Sequence, residues 1–110
     1  MDSDLRNYAE DRIELLLDKW HIWLDLVLEA GISNMPSVVT HKIELWANNA
    51  ELIGFNKQAM MCREFLSNSH SMALKADIFY KLISQYEVIK RLYENDKVTE
   101  FYANRAAIDD

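Results

Sequence analysis

The sequence predicts an all-α protein, a helical bundle of four main helices plus a short C-terminal helix, and three observations predict it. Apolar residues recur at the three-, four- and seven-residue spacings of an α-helix along almost the whole chain. Two glycines and one proline among 110 residues make a helical composition, not a loop-rich or disordered one. Gly31, Pro36 and Gly54 all fall between apolar-periodic runs, where helices start and stop. A chain of this length is expected to form one domain, residues 1–110, around a single core.

The first helix is expected over residues 4–30, with Ser3 as its N-cap and Gly31 as its stop. Placed at about 100° per residue, Leu5, Ala9, Ile13, Leu16, Trp20, Trp23, Leu24 and Val27 form one stripe, the face a globular helix buries. Tyr8, Leu15, Ile22 and Leu26 form a second apolar stripe on nearly the opposite side. Glu10, Glu14, Asp18, His21, Asp25 and Glu29 fill the sector between. A helix with two apolar faces needs two neighbours, either within its own chain or in another.

The segment ISNMPS turns the chain, with Ser33 or Asn34 expected to cap the next helix and Pro36 allowed only near its start. That second helix is expected over 37–53, buried through Val39, Ile43, Trp46, Ala50 and Ile53 and ended by Gly54. Val38, Leu45 and Leu52 repeat the double-faced pattern at heptad spacing. A third helix, 56–68, uses Phe55, Ala59, Cys62 and Leu66, and the polar cluster SNSHS follows as loop and cap. The fourth, 71–94, places Met72, Ala76, Phe79, Leu82, Ile83, Tyr86, Ile89 and Tyr93 on its main face. Asn95 and Asp96 are expected to break it, with Asp96 capping a fifth helix over 97–107 that packs through Val98, Phe101 and Tyr102.

Charge is unevenly spread. Residues 1–55 hold ten acids and four bases, whereas residues 56–110 hold eight of each, so the formal −6 belongs to the first half. An acidic half is a poor match for phosphate backbones, which makes nucleic acid an unexpected partner. Asp2, Asp4 and Glu10 precede the first apolar run, the wrong charge for a signal or transit peptide, and no run approaches the ~18 apolar residues of a membrane span. Cys62 is the only cysteine, so no intrachain disulfide is available and a reducing, cytoplasmic setting is expected.

Three constellations carry possible chemistry. Glu14, Asp18, His21 and Asp25 share a helical face, with a carboxylate three residues before an imidazole, but a bundle metal site also needs ligands from other helices. His41 and His70 lack a matching acid, so the expectation is a solvated acidic face with no metal and no cofactor. The alanine-to-glycine spacing of Ala50 and Gly54 is that of a helix-turn-helix over about 43–66, which would offer Asn56, Lys57, Gln58 and Arg63 to DNA. Asn49 and Arg63 occupy positions where that motif places apolar residues, and a plain helical hairpin explains the same spacing. Arg63 and His70 enclose the segment EFLSNS across a helix end, a pair able to hold a phosphate and move a proton.

That Arg–His pair resembles the Arg-x-His signature of the HEPN ribonucleases, which are small dimeric helical bundles. The resemblance covers these two residues and the fold class, and it implies metal-independent RNA cleavage; the alternative leaves Arg63 on the surface and His70 in a cap. Trp20, Trp23 and Trp46 are anchors of the type found in interfaces, yet they lie on the main stripes and are expected in the core.

The candidate partner-binding set is Tyr8, Leu15, Ile22, Leu26, Val38, Leu45 and Leu52, which together would exceed the apolar patch a soluble monomer usually exposes. The sequence holds no Gly-rich phosphate loop, nucleophile elbow or kinase motif, so catalysis is not expected. The reading that follows is a cytoplasmic, homodimeric, non-catalytic protein-binding module: an adaptor, chaperone, immunity protein or regulator. It would capture a protein partner through apolar helical faces flanked by acidic residues.

Overall fold

A computed structural model describes the backbone of residues 2–109 and the side chains of residues 12–96. Among the described residues all regular structure is helical: α1 Asp2–Ala30, a 3-10 turn Ile32–Asn34, α2 Ser37–Ile53, α3 Asn56–Leu66 and α4 Met72–Asp109. Helix packs on helix in the order α1 on α2, α2 on α3 and α3 on α4, with α4 returning to α1. One apolar cluster draws on all four. No described helix is long and apolar enough to cross a membrane.

Chain reversal between helices follows from a few residues. Gly31 leaves α1 at φ 85° and Gly54 leaves α2 at φ 108°, backbone that a side chain at either position would strain. At Gly54 the exit is a Schellman motif: the Phe55 N–H donates to the Ala50 carbonyl at 2.8 Å and the Gly54 N–H to that of Glu51 at 3.1 Å. The expected Ser33 or Asn34 cap does not form. Pro36 itself precedes α2, and its carbonyl accepts from the Val39 and Thr40 N–H groups without a side-chain cap. Proline's fixed φ already suits a helix start, and the 3-10 turn engages the residues that would otherwise cap. Ser71 does cap α4, its hydroxyl accepting the Leu74 N–H at 3.2 Å.

Three further expectations change. There is no separate fifth helix: α4 runs unbroken for 38 residues through Asn95 and Asp96. Each costs only about 0.5–0.7 kcal/mol in a helix relative to alanine, and with neither glycine nor proline nearby the backbone has no cause to leave. Val98, Phe101 and Tyr102, like Leu5, Tyr8 and Ala9, have side chains outside the described residues. Ser3 lies inside the first turn of α1, not ahead of it.

The third change is in the core. Phe65, not expected there, is fully buried and stacks on Phe79 at 5.5 Å, while Leu66 is half-buried. Helix α3 lies between α2 and α4, so its buried arc is wider than a single stripe. Ile78 is buried as well, whereas Met72 and Ala76 at the start of α4 are exposed.

The long axis follows from α4, since 38 residues at about 1.5 Å each span about 57 Å. The molecule measures 59 × 24 × 21 Å, and its radius of gyration of 16.9 Å exceeds the ~13 Å of a compact chain this long. The cluster is densest at three indoles. Trp20, Trp23 and Trp46 are 1%, 2% and 3% exposed. The Trp46 ring lies 4.9 Å from Trp20 and 5.6 Å from Trp23, and its Nε1–H donates to the Leu16 carbonyl at 2.9 Å. Trp46→Phe removes that bond and part of the volume, and is expected to cost about 1–3 kcal/mol in urea unfolding. A midpoint equal to the parent's would show that the indole does not tie α2 to α1.

Candidate protein-binding groove

Helices α1 and α2 form an antiparallel hairpin, because Trp46 reaches Leu16 while Trp23 lies beside Lys42 and Leu16 beside Ile53. Their core stripes face each other and the rest of the molecule, which turns the second stripes outwards. Leu15 is 54% exposed, Ile22 53%, Val38 59%, Leu45 49% and Leu52 76%. Leu26 differs: it is half-buried against the core. The side chain of Tyr8 lies outside the described residues.

Between the two rows runs a groove in two joined parts. The wider, about 400 Å³, is lined by Lys19, Ile22, Trp23, Lys42, Leu45, Trp46 and Asn49. The narrower, about 150 Å³, continues past Lys19, Trp46 and Asn49 to Arg12, Leu15, Leu16 and Ile53. Aliphatic Leu15, Leu16, Ile22, Leu45 and Ile53 and the buried indoles of Trp23 and Trp46 line it together. Val38 and Leu52 extend the α2 row beyond the groove at either end.

The charge of the rim departs from expectation. Arg12, Lys19 and Lys42 line the groove and, among the described residues, no carboxylate does. The acidic band of α1 lies on the other flank of Ile22, which lines both the α1–α2 groove and the one that Glu14 and Asp18 share. Glu14, Asp18, His21 and Asp25 line two open grooves of about 580 and 460 Å³ against α4, where Lys90 and Arg91 stand opposite together with Glu87 and Glu94. There His21 stacks on Tyr86 at 5.7 Å and its Nε2 meets Asp25 at 3.2 Å, while the Lys90 ammonium lies 5.9 Å from the Tyr86 ring centre. Helical rotation places acid and base on different sides of α1, so the two signs do not cancel locally.

The remaining candidates are used within the molecule. The Arg63 guanidinium donates to the Glu51 carboxylate and to Asn48 Oδ1 on α2, and no hydrogen bond joins it to His70, half-buried in the loop after α3. Of the four α3 residues that would read DNA, Gln58 bonds Gln85 of α4 at 3.1 Å and Arg63 is engaged as described. Glu14, Asp18, His21 and Asp25 do not converge as metal ligands; among the described residues no three His, Cys, Asp or Glu do. Burial pushes the Cys62 thiol up to about 12, against a small opposing effect of Arg63.

Sequence reading missed Lys19 and Lys42 as groove residues. Their signal was present: Lys19 stands four after Leu15 and three before Ile22, and Lys42 stands three before Leu45. Exposed Val88 and Leu92 on α4 and Met60 on α3 were also not singled out. Comparison of the chain with protein-family models, with curated proteins and with solved structures finds no match.

Cys62 supplies a clean test of the packing behind the groove. A thiol whose folded value lies above the ordinary 9.0 stays protonated in the native state while the unfolded chain ionises, so its contribution to stability is complete below pH 9.0 and is lost as pH rises towards about 12. Relative to Cys62→Ala, the parent should therefore lose urea stability over that interval, and iodoacetamide at neutral pH should label it only on unfolding. Rapid labelling of the native protein would show that α3 does not shield the thiol.

Proposed function

We propose that this helical bundle is a non-catalytic protein-binding module, an adaptor, chaperone, immunity protein or regulator, and that the α1–α2 groove is the surface it uses. One observation carries the reading: Leu15 and Ile22, seven residues apart on α1, and Leu45 on α2 are about half exposed and line one groove between the two helices together with Trp23 and Trp46. Scattered apolar residues on a surface mean little, but a contiguous set lining a concavity is how a helix-binding surface is built. The principal polar alternatives are engaged elsewhere, Arg63 with Glu51 and Gln58 with Gln85. The site calls for no cofactor.

A photo-crosslinking amino acid at Leu45 tests this in cells that express the protein. The expected result is one or a few discrete protein adducts, lost when Ile22→Ser is added, and absent when the probe replaces exposed Glu64 on α3. Because Ile22 is on the surface, the substitution should leave the thermal midpoint within a few degrees of the parent's, a change of roughly 0.5 kcal/mol or less. Smeared adducts of equal yield at Leu45 and Glu64 would remove the basis for a binding groove.

A further inference from the structure

We propose that the occupant of the α1–α2 groove is an amphipathic helix of a different protein, with carboxylates flanking its apolar face. This rests on the protein-binding reading above and adds the partner's shape and charge.

The shape comes from the hairpin. The groove follows α1 from Arg12 to Trp23, about 16 Å at 1.5 Å per residue, or three turns of a docked helix. Two antiparallel helices with aliphatic lips offer a third helix the hollow between them, at ordinary helix-packing distance. An anchor at i, i+3 and i+7 of such a segment would meet Ile22 and Leu45 first, then Leu15 and Ile53.

The charge comes from Lys19 and Lys42, one on each helix, both on the rim. Among the described residues neither makes an ion pair, whereas Lys81 pairs with Asp77 and Arg63 with Glu51. The chain holds 18 acidic residues and a net charge of −6, yet among the described residues no carboxylate lines the groove. Long-range attraction by the whole molecule would favour a basic peptide; the local field at the rim favours an acidic one.

A second copy is the poorer occupant. Two-fold association buries the same surface on both subunits, so a rim carrying Lys19 and Lys42 would be brought against an identical cationic rim, and among the described residues the lining supplies no carboxylate to offset the repulsion. The expected homodimer therefore has an electrostatic obstacle at this face, whereas a helix bearing glutamates has none.

The test is a displayed library of amphipathic peptides with a fixed leucine face and flanking positions varied among Glu, Gln and Lys. It is selected on the full chain and on the full chain carrying Lys19→Glu and Lys42→Glu. On the parent, Glu should be enriched at the flanks, and purified Glu peptides should bind about 2-fold to 30-fold tighter than their Lys counterparts, the range of two exposed ion pairs. High salt should shrink that ratio, and the doubly reversed variant should prefer Lys. Peptides that bind regardless of flank charge, or whose preference survives the double reversal, overturn the acidic partner but leave the groove as a protein-binding surface. No enrichment, with a dimer in sedimentation that Ile22→Ser and Leu45→Ser dissociate, overturns it in favour of self-association. No enrichment and a monomer overturn both the inference and the reading beneath it.

Discussion

Trp46 joins α2 to α1 by both forces available to an indole, and much of the molecular surface follows from that union. Its ring takes up the space between Trp20 and Trp23, and its one polar atom bonds a carbonyl in the middle of the facing helix. Burying roughly 200 Å² of aromatic surface is worth about 5 kcal/mol, so the rotation that satisfies Trp46 dominates alternatives that differ by one aliphatic residue. With that rotation set, a residue on the opposite side of either helix has no place inside the protomer. Leu15, Ile22 and Leu45 stay outside because the three tryptophans are inside. The indole N–H groups of Trp20 and Trp23 have no hydrogen-bond partner among the described residues, a cost of about 1–3 kcal/mol each, accepted where aromatic volume decides the fit.

Much of this was legible from periodicity. The bounds of α2, the stops at Gly31 and Gly54, the buried indoles and the exposed second rows all follow from placing apolar residues at about 100° per residue. What was not legible depends on neighbours. Phe65 is invisible to a single-stripe reading because α3 is covered from two sides. Asn95 and Asp96 look like a break because both residues favour caps, but a cap only reports a helix end that something else creates, and α4 has no such cause. Pro36 replaces the expected side-chain cap for a comparable reason: backbone already set for helix needs less help to begin it.

The sign of the groove was the largest departure, and its cause is instructive. Summing charge over residues 1–55 yields a strongly acidic half, but a helix turns about 100° between neighbours in sequence and so gives them different surroundings. Asp18 and Lys19 are adjacent in the chain and serve different grooves, one facing Tyr86 and Lys90 of α4 and the other facing Lys42 and Leu45 of α2. Net charge is a statement about the far field, and recognition at contact depends on the near one, within about 8–10 Å at ordinary salt. Charge must therefore be read on the same wheel as hydropathy before a partner's sign is assigned.

An apolar concavity on a surface faces two demands that ordinarily conflict, to bind its partner and to avoid its own kind. On the proposed reading Lys19 and Lys42 meet both. Their alkyl stems can lie along the groove walls while the ammonium groups stay in water, which reduces the apolar area offered to a chance neighbour. The same ammonium groups repel a second copy and attract a carboxylate, so discrimination arises from the difference between two affinities, with no need for a very tight complex. Adding acid to the rim would keep the protein soluble equally well, but it would then select for basic segments, and the α1 carboxylates would compete for the same ligand. Placing those carboxylates on the α4 side turns them about 100° or more away from Lys19 around α1, which a chain of this size can do without any additional residue.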